Sequence, residues 1–107
     1  MVSNSYQFTH AATKDLDDIL AYLSINLANP NAAKKLYEDL FSKIDLICAF
    51  PESNEIVNNE FINRRDVRKA LINNYVAYYI YDKDKHLITI LRIIYSKRNL
   101  EEIIKLL

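Results

Sequence analysis

The sequence contains no glycine at all. A phosphate-cradling loop needs glycine so that backbone N–H groups can approach the ligand, so nucleotide binding through a glycine-rich loop is excluded. Asparagine is the next choice for positive φ and is expected to fill the positions that glycine would take. There is one cysteine, Cys48, so no internal disulfide can form. It falls in an apolar helical run and reads as a small core residue, consistent with a cytosolic setting. The two histidines, His10 and His86, stand alone. No metal-ligand constellation or nucleophile elbow occurs, and protease, nucleotidase and dehydrogenase chemistry have no support. No apolar run approaches the roughly 18–20 residues of a membrane span. The opening MVSNSYQFTH lacks a basic stretch followed by an apolar one, so no signal peptide is expected and the cytoplasm is the expected location.

What is present describes a globular chain. Its 107 residues are 50% hydrophobic and 26% charged, enough for one domain over 1–107 with an ordinary core and no metal or disulfide staple. The net charge of zero conceals an asymmetry. Residues 1–60 hold four lysines against nine carboxylates, net −5, and residues 61–107 hold ten basic groups against five carboxylates, net +5. The basic half fits an acidic protein, a phosphate backbone or a simply solvated surface.

Tyr6 and Phe8 alternate with Gln7 and Thr9, which predicts a short first strand. A helix is predicted from about Ala11 to Asn26, with Leu16, Ile19, Leu20, Leu23 and Leu27 on one stripe and Thr9 as its N-cap. Lys14, Asp15, Asp17 and Asp18 fall in its first turns, where the carboxylates suit the helix dipole. Asn29-Pro30 breaks that helix and starts another, with Asn29 as cap and Pro30 at the first helical position. Ala33, Leu36, Tyr37, Leu40, Ile44 and Ile47 form the second stripe, and Phe50-Pro51 ends it. So short a connection makes an antiparallel helical hairpin. Residues 52–66 read as a loop with a short turn or strand near Glu55–Val57. Strands follow at Val67–Ile72, Tyr75–Tyr81 and Leu87–Tyr95, joined by an Asn73-Asn74 turn and a charged tip at 82–86. Asn99 and Glu102 resemble a capping box for a last helix to Leu107. The order is β-α-α-β-β-β-α, an α+β fold with the helical hairpin on one face of an antiparallel sheet.

The strand Leu87–Tyr95 is apolar on both alternate sides. Simple parity puts Leu87, Leu91, Ile93 and Tyr95 on one side and Ile88, Ile90 and Ile94 on the other, interrupted by Arg92 and extended by Ser96 and Arg98. A sheet covered by helices on one side needs only one apolar face. The second face therefore predicts another cover, chiefly a partner protein, with the C-terminal helix supplying part of it.

The remaining chemical candidates are basic and aromatic. Arg64, Arg65, Arg68 and Lys69 cluster at the second strand, and Arg92 and Arg98 share parity on the last strand and its extension. Tyr75, Tyr78, Tyr79, Tyr81 and Tyr95 lie among them. Arginine and tyrosine on one sheet surface can hold phosphates and bases, or the acidic and apolar side chains of a protein. Tyrosines in strands also pack as ordinary core, and Arg92 also suits an ion pair at the sheet edge.

Nearly the whole chain resembles the RelE/ParE superfamily of bacterial toxins from type II toxin–antitoxin modules. The segment AATKDLDDILAYLS is similar to the family's first helix, and NPNAAKKLYEDLFSKIDLICAFPE to its second. VRKALINNYVAYYIYDKDKHLITILRIIYSKRN is similar to its three-strand core. The resemblance implies a toxin neutralised by a cognate antitoxin that wraps it with extended and helical segments, with no cofactor. It implies contact with DNA only through the antitoxin, and none with membranes. The long helices and the Asn-Pro joint look ParE-like, which implies poisoning of DNA gyrase by binding. The RelE-like alternative is a ribosome-dependent mRNA endoribonuclease, and a second alternative is a degenerate, non-toxic member that only binds antitoxin.

On the nuclease alternative the resemblance assigns phosphate stabilisation to Arg68 and Arg98, orientation or protonation to Tyr95, and assistance to Lys69. Several family nuclease positions are substituted: Val76 stands where an Arg is common, Ile94 where a His often sits, and Ile104 where one group has a Tyr. Arg cannot serve as a base near neutrality, and His86 lies at a hairpin tip away from the proposed face. For target or antitoxin binding the candidates are Arg68, Lys69, Ile88, Ile90, Arg92, Ile94 and Arg98, with Tyr95 as an aromatic anchor.

Overall fold

Thr9 is where the fold is tied together. Its extended backbone (φ −68°, ψ 162°) ends the first strand, and its Oγ1 accepts the Ala12 N–H at 3.0 Å as the helix N-cap. The same hydroxyl donates to the Leu91 carbonyl at 2.8 Å, far along the chain. The computed structural model describes residues 3–57 and 66–97. Strand β1 is Ser5–Phe8, helix α1 His10–Ala21, helix α2 Pro30–Ala49, and strands β2, β3 and β4 are Arg68–Ile72, Tyr75–Asp82 and Leu87–Tyr95. The fold is α+β as expected. The predicted helix after Asn99 and the arginines Arg64, Arg65 and Arg98 lie outside the described residues.

The sheet order is β1-β4-β3-β2. The meander β2-β3-β4 is antiparallel, while β1 lies parallel to β4 from Ser5↔Leu87 to Phe8↔Ile90. Residues 55–57 run along the outer edge of β2, with a single bridge Ile56↔Arg68 and bonds Val57 N–H to Val67 C=O (2.7 Å) and Lys69 N–H to Glu55 C=O (3.1 Å). This is the short strand-like piece expected near Glu55–Val57.

The helices form the predicted hairpin and cover one sheet face. Ala33, Leu36, Leu40, Ile44 and Ile47 of α2, spaced three and four apart, are buried with Ala12 and Leu16 of α1. Asn29 caps α2 by accepting the Ala32 N–H at 3.1 Å. The first helix does not stay α-helical to Asn26. Residues Tyr22–Asn26 widen into a π-helix, with Leu27 N–H bonded to the Tyr22 carbonyl at 3.0 Å. Ser24 Oγ donates back to the Leu20 carbonyl at 2.7 Å, a local bond that competes with the regular ladder. Helix α1 starts at His10, so its first turn carries no acid and Asp15 lies beyond it. The expected dipole role for Asp15 is replaced by another, described below.

Among the described residues asparagine fills one of three left-handed positions. Asn73 (φ 54°) turns β2 into β3 as predicted, but Ala28 (φ 48°) closes the helical hairpin and His86 (φ 52°) closes the β3–β4 tip. Alanine has no polar side chain to compensate for that conformation, so Ala28 carries local strain.

The two-sided reading of β4 needs correction. Tyr78 pairs with Arg92, but Tyr79 pairs with Ile90, so Leu91 is an extra residue in a β-bulge. One extra residue reverses the alternation beyond it. Ile88 and Ile90 before the bulge and Ile93 after it all face the helices in the main core. Ile94 and Leu91 face the other way and join Val67, Tyr78, Val76, Ile80 and Val57 in a second cluster. Ile88 and Ile90 are 0% exposed and Ile94 is 2% exposed, so the chain itself seals all three and no partner is required to cover them.

Candidate functional site

The basic candidates among the described residues are committed to different tasks. Arg68 pairs with Tyr79 in register and so points to the helix side. Its Nη1 donates to the Asn54 carbonyl at 2.7 Å and the Glu52 carbonyl at 3.1 Å, fixing the loop that leaves α2. The same loop is held by Tyr79, fully buried, whose hydroxyl donates to the Pro51 carbonyl at 2.9 Å. Lys69 points to the opposite face, partly exposed, with Glu55 at 3.4 Å.

Arg92 is not free for a target. It forms a two-point ion pair with Asp15 of α1, which also accepts the Ile93 N–H at 3.0 Å. Strand β1 stops pairing at Ile90, and the Asp15 carboxylate takes over the edge of β4 beyond it. The Asp15 hydrogen bond is the main cause holding the Arg92 guanidinium pKa above its ordinary value, opposed by partial burial. The edge ion pair weighed for Arg92 is thus present.

The tyrosines divide similarly. Burial raises the pKa of Tyr78 and Tyr79 above the ordinary phenol value, and it does the same for Tyr75 with smaller contributions from Tyr95 and Tyr22. These groups stay protonated near neutrality and cannot act as bases there. Tyr81 donates to Asn4 Oδ1 at 3.3 Å. Of the five candidate tyrosines of β3 and β4, Tyr95 is the exposed one, at 46%, with its ring 5.8 Å from that of Tyr75. His86 immediately precedes β4 and Tyr95 ends it. Nine residues of extended chain separate them by roughly 25–30 Å, so they share no site. Among the described residues no group of three His, Cys, Asp or Glu side chains could hold a metal ion, and no helix is long and apolar enough to cross a membrane.

The structure therefore does not gather Arg68, Lys69, Arg92 and Tyr95 into one constellation. Ile88, Ile90 and Ile94 offer no surface to a binding partner in this fold. Sequence reasoning missed Leu46 and Leu71, 56% and 64% exposed, which stand beside Lys43 and Lys69 at the α2–β2 edge. The available signal was that Leu46 falls off the buried stripe of α2.

Comparison with known proteins agrees with this architecture. A chromosomal ParDE toxin–antitoxin system from P. aeruginosa contains a chain similar to this one at 22% identity. That match covers 88% of this chain and 97% of the other, with a TM-score of 0.69. A RelBE2 toxin–antitoxin complex from Mycobacterium tuberculosis gives 19% identity, 88% and 99% coverage and a TM-score of 0.61. An archaeal RelE–RelB complex from Pyrococcus horikoshii OT3 gives 16% identity, 92% and 100% coverage and a TM-score of 0.57. At these identities the likeness establishes the fold. No curated protein matches the chain. The family model for the ParE toxin of the type II toxin–antitoxin system parDE matches residues 6–100, most of the sequence. With its helical hairpin laid on a meander sheet that the first strand joins in parallel, the chain belongs to the ParE toxin family of type II toxin–antitoxin systems.

Proposed function

We propose that this toxin acts by binding rather than by cutting RNA, that its target is DNA gyrase, and that a cognate antitoxin neutralises it. The observation that carries the reading is the commitment of the two arginines among the described residues. Arg68 is spent on two backbone carbonyls and Arg92 on Asp15, while the buried tyrosines are held neutral. Cleavage through the ribose 2′-hydroxyl needs a base, an acid and charge stabilisation within reach of one phosphate. The described residues offer no such set. Binding asks less of them: Tyr95 supplies an exposed aromatic anchor at the end of β4, with Lys97 close by in sequence. The match to the ParE toxin model supports the ParE-like reading, and the similar chains in toxin–antitoxin complexes support an antitoxin partner.

Purified gyrase tests this directly. Micromolar toxin is expected to inhibit supercoiling and to trap cleaved DNA, and Tyr95→Ala is expected to weaken both. Growth arrest in cells without any effect on purified gyrase would remove this target. Primer extension on translated mRNA would then test the ribosome-dependent nuclease. Normal growth on overexpression of soluble toxin without antitoxin would identify a non-toxic member that retains only antitoxin binding.

A further inference from the structure

Strand β1 forms one edge of the sheet, and nothing in its sequence guards that edge. Ser5–Phe8 carries no charge and no proline, the usual means by which an edge strand repels a new neighbour. Ser5 N–H bonds to the His86 carbonyl at 2.9 Å and Thr9 N–H to the Ile90 carbonyl at 3.0 Å, so residues 5, 7 and 9 address β4. By alternation the N–H and C=O of Tyr6 and Phe8 point outward. Among the described residues no backbone group meets them.

The side chains of the same two residues build an aromatic patch. Tyr6 and Phe8 pair in register with Ile88 and Ile90 and so lie on the helix side of the sheet. Their rings lie 6.2 and 6.1 Å from that of Phe41 on α2, and Tyr37 lies 4.7 Å from Phe41. Tyr6 is 42% and Tyr37 50% exposed, so the patch is open where the strand edge is open. Helix positions three, four and seven apart share a face, which sets Lys34 and Asp45 at the two ends of the stripe that holds Tyr37 and Phe41. Neither Lys34 nor Asp45 has an ion pair among the described residues.

We propose that a second copy of this chain docks on β1, related by a two-fold axis that passes through Gln7 perpendicular to the sheet. Tyr6 of each copy then exchanges both main-chain hydrogen bonds with Phe8 of the other, and the two sheets become one. An axis of that orientation keeps both helical layers on one side and runs the two α2 helices antiparallel. The aromatic patches merge across it, and Lys34 of each copy comes beside Asp45 of the other. The order cation, aromatic pair, anion along α2 is what selects a copy: reversed by the axis, it meets its own complement. A formal net charge of zero leaves no overall repulsion between copies. The site involves neither Tyr95 nor Leu71 at the opposite edge, and it stands whether or not gyrase is the target.

Sedimentation equilibrium of the full chain at low ionic strength is expected to show a dimer that grows with concentration. Amide hydrogen exchange is expected to slow at Tyr6 and Phe8 as it forms, with Gln7, which addresses β4, unchanged. Tyr6→Lys combined with Tyr37→Lys is expected to weaken the dimer at least about tenfold, an unchanged circular dichroism spectrum showing that the fold is intact. Lys34→Asp and Asp45→Lys each set like charges together and are expected to weaken it at least about fivefold. An equimolar mixture of those two variants is expected to dimerise again, since only the mixed pair makes every charge contact complementary. Four results would overturn the proposal: a monomer at every concentration, a dimer undiminished in the folded double-lysine variant, no recovery on mixing the charge variants, or concentration-dependent protection at Leu71 in place of Tyr6 and Phe8.

Discussion

Arg92 and Asp15 lock the end of β4 to helix α1: Nε meets Oδ2 and Nη2 meets Oδ1, each at 2.7 Å, with the side chains 19% and 15% exposed. The two-point geometry fixes direction as well as distance. Because the carboxylate also takes the Ile93 N–H, removing it would orphan both a guanidinium and a strand amide.

Arg92→Ala is therefore expected to cost about 2–4 kcal/mol, below the full value for a wholly buried pair because both partners keep some solvent. Asp15→Asn should cost less than Asp15→Ala, since the amide oxygen can still accept from Ile93. The double variant Asp15→Asn/Arg92→Met should recover part of the loss. Urea denaturation of the four proteins gives the coupling; strictly additive losses would show that the pair does not act as a unit.

Reassignment of the β4 faces predicts a contrast. Ile88→Ala should cost about 2–5 kcal/mol as a core cavity. Leu71→Ala, at an exposed edge, should stay within about 0.5 kcal/mol. Equal losses in thermal denaturation would contradict the burial of one and the exposure of the other.

Ala28→Gly should stabilise the protein. The left-handed conformation strains alanine by about 1–2 kcal/mol, and glycine's greater unfolded-state freedom offsets part of the relief, leaving roughly 0.5–1 kcal/mol. A lower melting temperature for Ala28→Gly would count against strain at the hairpin closure.

Alkaline titration tests the burial of three tyrosines. Tyr75, Tyr78 and Tyr79 have folded pKa values raised above the ordinary 10, chiefly by burial. A raised folded pKa contributes stability that is fully present below the unfolded value and is lost as pH rises through the folded one. Tyrosinate absorbance from Tyr75, Tyr78 and Tyr79 should therefore appear above the ordinary phenol range and coincide with loss of the folded circular dichroism signal. Ionisation of these three at the ordinary phenol value in the native protein would refute the buried assignment.

The helical hairpin, both N-caps and the meander were legible because each rests on local chemistry: Thr9, Asn29-Pro30 and Asn73 act within a few residues of themselves. The faces of β4 were not legible. Counting parity assumes an uninterrupted ladder, and Leu91 reads like any other strand residue until Thr9 Oγ1 and the Tyr78–Tyr79 register reveal the bulge. The same limit hid the role of Asp15, whose partners lie 77 and 78 residues away. Ala28 was missed because nothing in alanine announces positive φ; the Asn-Pro that follows forces the turn onto it.

The parallel seam between β1 and β4 joins residues separated by about eighty positions, with Gln7 bonded to Thr89 across it. During synthesis Ser5–Phe8 must wait for about eighty further residues to be added before its neighbour arrives. The helical hairpin can assemble in the interval, but the sheet cannot close. A ribosome halted before Leu87 would release a fragment missing the strand that joins β1 to β3, so the sheet can be finished only after β4 has been translated.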